Sequence, residues 1–169
     1  MGGNALKTVK TSRIDQQSYF QLKLHIMEQL RKDGFVLTDI IEVPNKESYG
    51  DLDLLYFHPD NQDIKIKVIE LFSPQEIVSN GDVLSFDFKT ETNEYFQIDL
   101  IKCNSINQIN FARFYFSYGD LGSILGRFCN YHGVKIGHRG FWIDVYENTM
   151  YPDRPHDPTR NIGEILLTT

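Results

Sequence analysis

Residues 48–57 read SYGDLDLLYF, two acids at the entrance of an apolar run short enough for one buried strand. Side chains alternate across a strand, so Asp51 and Asp53 share a face, about 7 Å apart along the chain. Leu55 and Phe57 continue that face into a core. The pentapeptide SYGDL returns at residues 117–121, where GSILG follows it. After Asp120 the apolar residues Leu121, Ile124, Leu125 and Phe128 keep helical spacing, so Asp120 reads as an N-cap or first-turn acid. The two copies are therefore not one repeated unit: the first opens a strand and the second opens a helix.

Working outward, DQQSYFQLKLHIMEQLRKDG predicts a first helix, with Tyr19, Leu22, Ile26, Met27 and Leu30 on one apolar face. Asp15 or Ser12 caps its start and Gly34 ends it. FVLTDIIEV predicts a strand, and the Pro44–Glu47 turn leads into the strand from Asp51 to Phe57. IKIKVIEL reads as a half-buried strand, because Ile64, Ile66 and Val68 alternate with lysines. VLSFDFK and YFQIDLIKC form a hairpin across the polar TETNE. Helices are expected over 106–116, with Phe111, Phe114, Tyr115 and Tyr118 as packing face, and over about 120–131. VKI and FWIDVY flank GHRG as a last hairpin.

These elements predict an α+β fold with a mixed central sheet and helices on one side. The first 150 residues form the one domain; residues 151–169 add a loop, by virtue of Pro152, Pro155 and Pro158, and the start of a further element. The closing apolar stretch ILLTT raises the expectation of a C-terminal partner domain.

The chain has 169 residues and a net charge of −6, which argues against a domain that coats nucleic acid by itself. No apolar run approaches the roughly 20 residues that cross a bilayer, and MGGNALKTVK has no signal-peptide core. Cys103 and Cys129 are too few for a disulfide framework and read as reduced thiols. The expected setting is intracellular and cytoplasmic, without a membrane.

Two carboxylates on one strand face suit a hard divalent cation such as magnesium, which takes oxygen ligands and leaves room for substrate phosphates. A third acid on a neighbouring strand sharpens this, and Asp99, between Ile98 and Leu100, is the candidate. A lone Asp in an apolar strand is costly unless it is paired, hydrogen-bonded or metal-bound. Asp87 competes, but Ser85, Asp87 and Lys89 alternate as a solvent face would.

Helix, strand, turn, a second strand opening DLDLL and a later apolar strand with one Asp resemble the DNA polymerase beta-like nucleotidyltransferase superfamily. That resemblance runs from about Tyr19 to Lys102. A looser likeness, carried by GGNAL, KxSYGDLD, FQIDL and SYGDLGSILGR, extends over the whole chain to uncharacterised viral and fungal members. The resemblance implies that Asp51 and Asp53 bind two Mg2+ ions (or Mn2+) and that Asp99 completes the catalytic set. It implies transfer of a nucleoside monophosphate from a nucleoside triphosphate such as ATP to an acceptor hydroxyl, with release of pyrophosphate. The acceptor stays open among a nucleic-acid end, a small molecule and a protein.

One departure matters. The superfamily's Gly-Ser pair at the end of the first strand, which grips the triphosphate, is missing from IIEVPNKESYG. Lys46, Ser48 and Gly50 are the candidates to replace it. Two further readings therefore remain: a catalytically inactive nucleotidyltransferase-fold binding module, and a DxD glycosyltransferase, disfavoured because the apolar run follows the acids instead of preceding them. Arg127, Lys135, His138 and Arg139 are candidates for a basic patch beside the site, and Trp142 is read as a packing residue.

Overall fold

The computed structural model describes residues 5–146 and 161–166. The proline-rich stretch expected as a loop, and Gly2 and Gly3, lie outside the described residues. A five-stranded mixed sheet forms the centre, with β2 (Val36–Asp39), β4 (Asp51–Phe57), β7 (Tyr95–Lys102), β6 (Val83–Lys89) and β5 (Ile77–Asn80) side by side in that order. β4 and β7 run parallel and the other neighbours antiparallel. Two short strands, β1 (Ile14–Asp15) and β3 (Ser48–Tyr49), pair just before α1 and β4. The α+β class with a mixed central sheet is as expected.

The two faces of this sheet differ. Leu52 and Leu54 of β4, Leu84 and Phe86 of β6, and Phe96, Ile98 and Leu100 of β7 form one continuous core with α1 (Gln16–Lys32) and α2 (Ile64–Phe72). Asp15 starts α1 by accepting the Ser18 amide at 3.0 Å, which satisfies one of the orphan donors of the first turn. Gly34 follows its last turn at φ +86°, a conformation that costs glycine little. On the opposite face Leu55, Ile101 and Cys103 pack under Ile109 and Ala112 of α3 (Ile106–Phe116). Helices therefore cover both faces, not one, because β4 and β7 carry leucine and isoleucine at odd as well as even positions.

One further expectation is overturned and another holds only in part. IKIKVIEL is helix α2, not a strand. Ile64 and Val68 are both two steps of two and one step of four apart, so strand and helix periods coincide there. Ile66 decides between them, and it points to solvent at 55% exposure. Asp63 caps the helix through the Lys65 amide, and Ser73 ends it at φ 44°. Of the expected packing face of α3, Phe111 meets Phe141 and Tyr115 meets Gly122, whereas Phe114 and Tyr118 are exposed, and the buried contact with the sheet is made by Ile109 and Ala112. On α4 (Leu121–Tyr131) the apolar stripe is split: Leu121 and Leu125 are half-buried, while Ile124 and Phe128 are 62% and 64% exposed. This helix meets α3 through Gly122, where an added Cβ would stand 2.3 Å from the Tyr115 carbonyl oxygen.

The last hairpin is present as β8 (Lys135–Gly137) and β9 (Gly140–Tyr146), and β10 (Asn161–Leu166) pairs antiparallel with β9. Trp142 packs its ring over Gly137, where a Cβ would come within 2.9 Å of it. Among the described residues no helix is long and apolar enough to cross a membrane.

Candidate functional site

The parallel β4–β7 register sets Asp53 beside Asp99, and Leu55 beside Ile101 two residues further. The inner end of this face is thus apolar and closed by α3, whereas the outer end is acidic. One ligand atom each from Asp51, Asp53 and Asp99 lie within 4.8 Å of one another. Three carboxylates this close repel. Burial, then Asp51, Asp99 and Glu42, push the Asp53 carboxyl up to about 8, with Lys46 pulling weakly the other way. Burial also raises Asp99, against hydrogen bonds from Ser85 and Gln97 that favour its charged form. The set holds only hard oxygen donors and disfavours its own negative charge, so these three residues could hold a metal cation.

Asp51 and Asp53 open onto a cavity of about 290 Å³ whose wall also includes Arg13, Glu42, Lys46, Gly50, Gly119 and Asp120. Lys46 reaches it as expected, with its ammonium 3.0 Å from Glu42 and 4.7 Å from the Tyr49 ring centre. Glu42 is held in turn by the Tyr19 hydroxyl, which donates at 2.7 Å. Gly50 lines the wall as well. Ser48 is placed differently: Arg13 donates to its hydroxyl oxygen at 2.9 Å and to its carbonyl at 2.6 Å. It is Arg13, not Ser48, that forms part of the cavity wall.

Asp120 stands at the N-cap position of α4, as expected, and its carbonyl accepts the Ile124 amide at 3.0 Å, but its side chain makes no cap hydrogen bond. It faces the same cavity as Asp51. The second SYGDL reaches that position because it is stitched to the segment after β2. The Ser117 hydroxyl oxygen accepts the Ile41 amide at 2.9 Å, and the Tyr118 amide donates to the Ile41 carbonyl at 3.2 Å. Tyr118 and Gly119 then turn with positive φ, 64° and 66°, aiming Asp120 inward. The copies are different structural units, yet they form parts of one wall.

Asp87 does not lie on a solvent face. It is buried, and its carboxylate accepts the amides of Glu76 at 2.6 Å and Gln75 at 3.2 Å, anchoring the turn before β5. The proposed basic patch is not assembled beside the acids. Lys135 pairs with Asp144, His138 lies 2.9 Å from Asp82, and Arg139 lies over Trp142. None of these, nor Arg127, lines the cavity. Cys103 is buried, its thiol pushed up to about 12 by desolvation.

Arg13, Glu42 and Gln97 escaped the sequence reading: Arg13 and Glu42 stand in no recognisable motif, and Gln97, although part of FQIDL, carries no charge to mark it beside Asp99. No protein-family model matches the chain, and no curated protein matches it significantly.

Proposed function

We propose that the protein is a metal-dependent nucleotidyltransferase, moving a nucleoside monophosphate from a nucleoside triphosphate to an acceptor hydroxyl. The observation that carries this reading is the convergence of Asp51, Asp53 and Asp99 at the mouth of the parallel β4–β7 pair, beside a cavity that also presents cations. Asp51 and Asp53 would hold two Mg2+ ions and Asp99 one of them, within the intact rigid sheet. When bound, the ions supply a lowered pKa for the attacking hydroxyl and positive charge for the triphosphate and leaving pyrophosphate.

The chain's own residues do the rest. The carboxylates on adjacent strands are preorganised, so little reorganisation accompanies the reaction. Arg13 and Lys46 place positive charge on the cavity wall where phosphate oxygens would lie. Gly50 lines the wall beside Asp51, where the lack of a side chain would let phosphate approach the backbone, the part that a Gly-Ser pair plays elsewhere in the resembling superfamily. Nucleotide, acceptor hydroxyl and a cytoplasmic setting belong to this proposal.

Incubation with each α-labelled nucleoside triphosphate and Mg2+ or Mn2+, against pooled RNA, pooled DNA and the chain itself, tests it. The native chain is expected to transfer label and the Asp51→Ala/Asp53→Ala variant is not. Metal-dependent nucleotide binding without transfer would favour the non-catalytic module, for which the missing Gly-Ser pair and the Arg13 grip on Ser48 speak. Absence of both transfer and binding would overturn the proposal.

A further inference from the structure

Asp99 is not held by its strand alone. Gln97, two residues earlier on the same face, is 2% exposed. Its side-chain nitrogen donates to both carboxylate oxygens of Asp99, at 3.0 and 2.9 Å. Its side-chain oxygen accepts the Ala5 amide at 3.0 Å. A glutamine amide has chemically distinct ends, and either end could face a given neighbour. Asp99 only accepts and the Ala5 amide only donates, so one orientation satisfies both.

The segment that supplies Ala5 is itself clamped. The consecutive amides of Lys7, Thr8 and Val9 all donate to the Glu76 carboxylate, at 2.8 to 2.9 Å. Such a row of amides makes a concave anion site, and it holds Glu76 down to about 2. Further along, the Ser12 amide donates to the Tyr95 carbonyl at 2.8 Å, at the start of β7. Glu76 is tied back to the sheet through its own amide on Asp87, and Asp87 stands opposite Gln97 in the β6–β7 register. The contacts close a ring: Asp99, Gln97, Ala5, the 7–9 amides, Glu76, Asp87 and back to Gln97.

We propose that Gln97 is a positioning residue for the acidic site, and that the strap of residues 5–12, clamped by Glu76, fixes the amide of Gln97 so that Asp99 presents its carboxylate to a divalent cation. This deepens the metal-site reading above and rests on it. Residues that orient a ligand typically govern metal affinity by 10–100-fold. Here the orienting residue is in turn locked by a distant stretch of chain, so the strap and the site are energetically linked.

The experiment is Mn2+ binding to the intact chain, read by the electron paramagnetic resonance signal of the free ion. The Gln97→Met, Glu76→Ala and double variants are compared with the native protein. Methionine keeps most of the volume of glutamine but neither hydrogen bond. Gln97→Met is expected to weaken Mn2+ at least about tenfold. Glu76→Ala, which alters only the outer clamp, is expected to weaken it by a smaller factor. Because both act through one amide, the double variant should bind no more weakly than Gln97→Met alone. Near-ultraviolet circular dichroism, recorded without metal, checks that each variant is folded.

Linkage also requires the reverse effect: saturating Mg2+ should slow hydrogen exchange at the Ala5 amide in the native protein. Unchanged affinity in folded Gln97→Met overturns the positioning role. Unchanged affinity in Glu76→Ala, or losses that add in the double variant, overturns the strap's part in it; should Gln97→Met fail to fold, Glu76→Ala and the Ala5 exchange still decide. A native chain that binds no Mn2+ overturns the metal site itself, and this proposal with it.

Discussion

Replacing Asp53 by Asn should stabilise the metal-free protein at alkaline pH and leave it nearly unchanged in acid. The ordinary carboxyl value is 3.8, and in the folded protein burial and three neighbouring acids raise Asp53 to about 8. Between those two values the folded state binds the proton more tightly than the unfolded chain. Stability from this group is therefore complete below about pH 4 and falls as pH rises, until the folded carboxyl has also ionised near pH 8. The interval is worth at most about 6 kcal/mol at roughly 1.4 kcal/mol per tenfold. Asp53 opens onto a cavity that solvent can enter, which screens its charge, so about 2–4 kcal/mol is expected at pH 8.5. The assay is urea unfolding in chelator, followed by far-ultraviolet circular dichroism from about pH 4.5 to 9. Native protein should lose stability across this range more steeply than Asp53→Asn. Equal slopes, or an Asn variant less stable than native protein at pH 8.5, would refute the claim that burial, reinforced by the neighbouring carboxylates, makes ionised Asp53 destabilising without a cation.

Gly122→Ala should cost about 1–3 kcal/mol, because the added methyl meets the rigid Tyr115 carbonyl and α4 must shift; thermal unfolding measures it. Asp120→Ala should change stability by less than about 0.5 kcal/mol, since no cap hydrogen bond is lost; a loss of 1 kcal/mol or more would restore the capping role. Asp87→Asn should destabilise by about 1–3 kcal/mol, as an amide has one acceptor oxygen for the two backbone donors of Gln75 and Glu76. Denaturant midpoints check this, and a neutral result would show that the turn before β5 is anchored elsewhere.

Much of the strand architecture around the acids was legible in local pattern. DLDLLYF has the length, apolar run and entrance acids of a buried strand, and β4 begins and ends where that run does. The hairpin of β6 and β7, the first helix and the spans of α3 and α4 follow from periodicity and turn residues in the same way. Failures came where one pattern serves two periods or where a face is apolar without being buried. Ile64 and Val68 fit a strand and a helix equally, and only the outward placement of Ile66 in the folded chain settles the matter. The stripe of α4 is apolar by sequence, yet the helix meets the body through Gly122, because only a residue without a side chain allows so close an approach to Tyr115.

By itself the sequence determined that Asp51 and Asp53 share a strand face, since alternation is a property of the extended backbone and needs no partner. It also determined that Asp99 stands in an apolar strand, where an unsupported carboxylate is unstable. Only the tertiary structure decided that β4 and β7 are parallel neighbours in the register that sets Asp53 against Asp99. Registers are chosen by the packing of whole faces, so no local rule contains them. The same holds for Arg13, Glu42 and Asp120, brought to one wall from three separate stretches, and for the Ala5 amide, which reaches Gln97 across 92 residues. A hydrogen bond at that separation exists only once the sheet between its ends has formed.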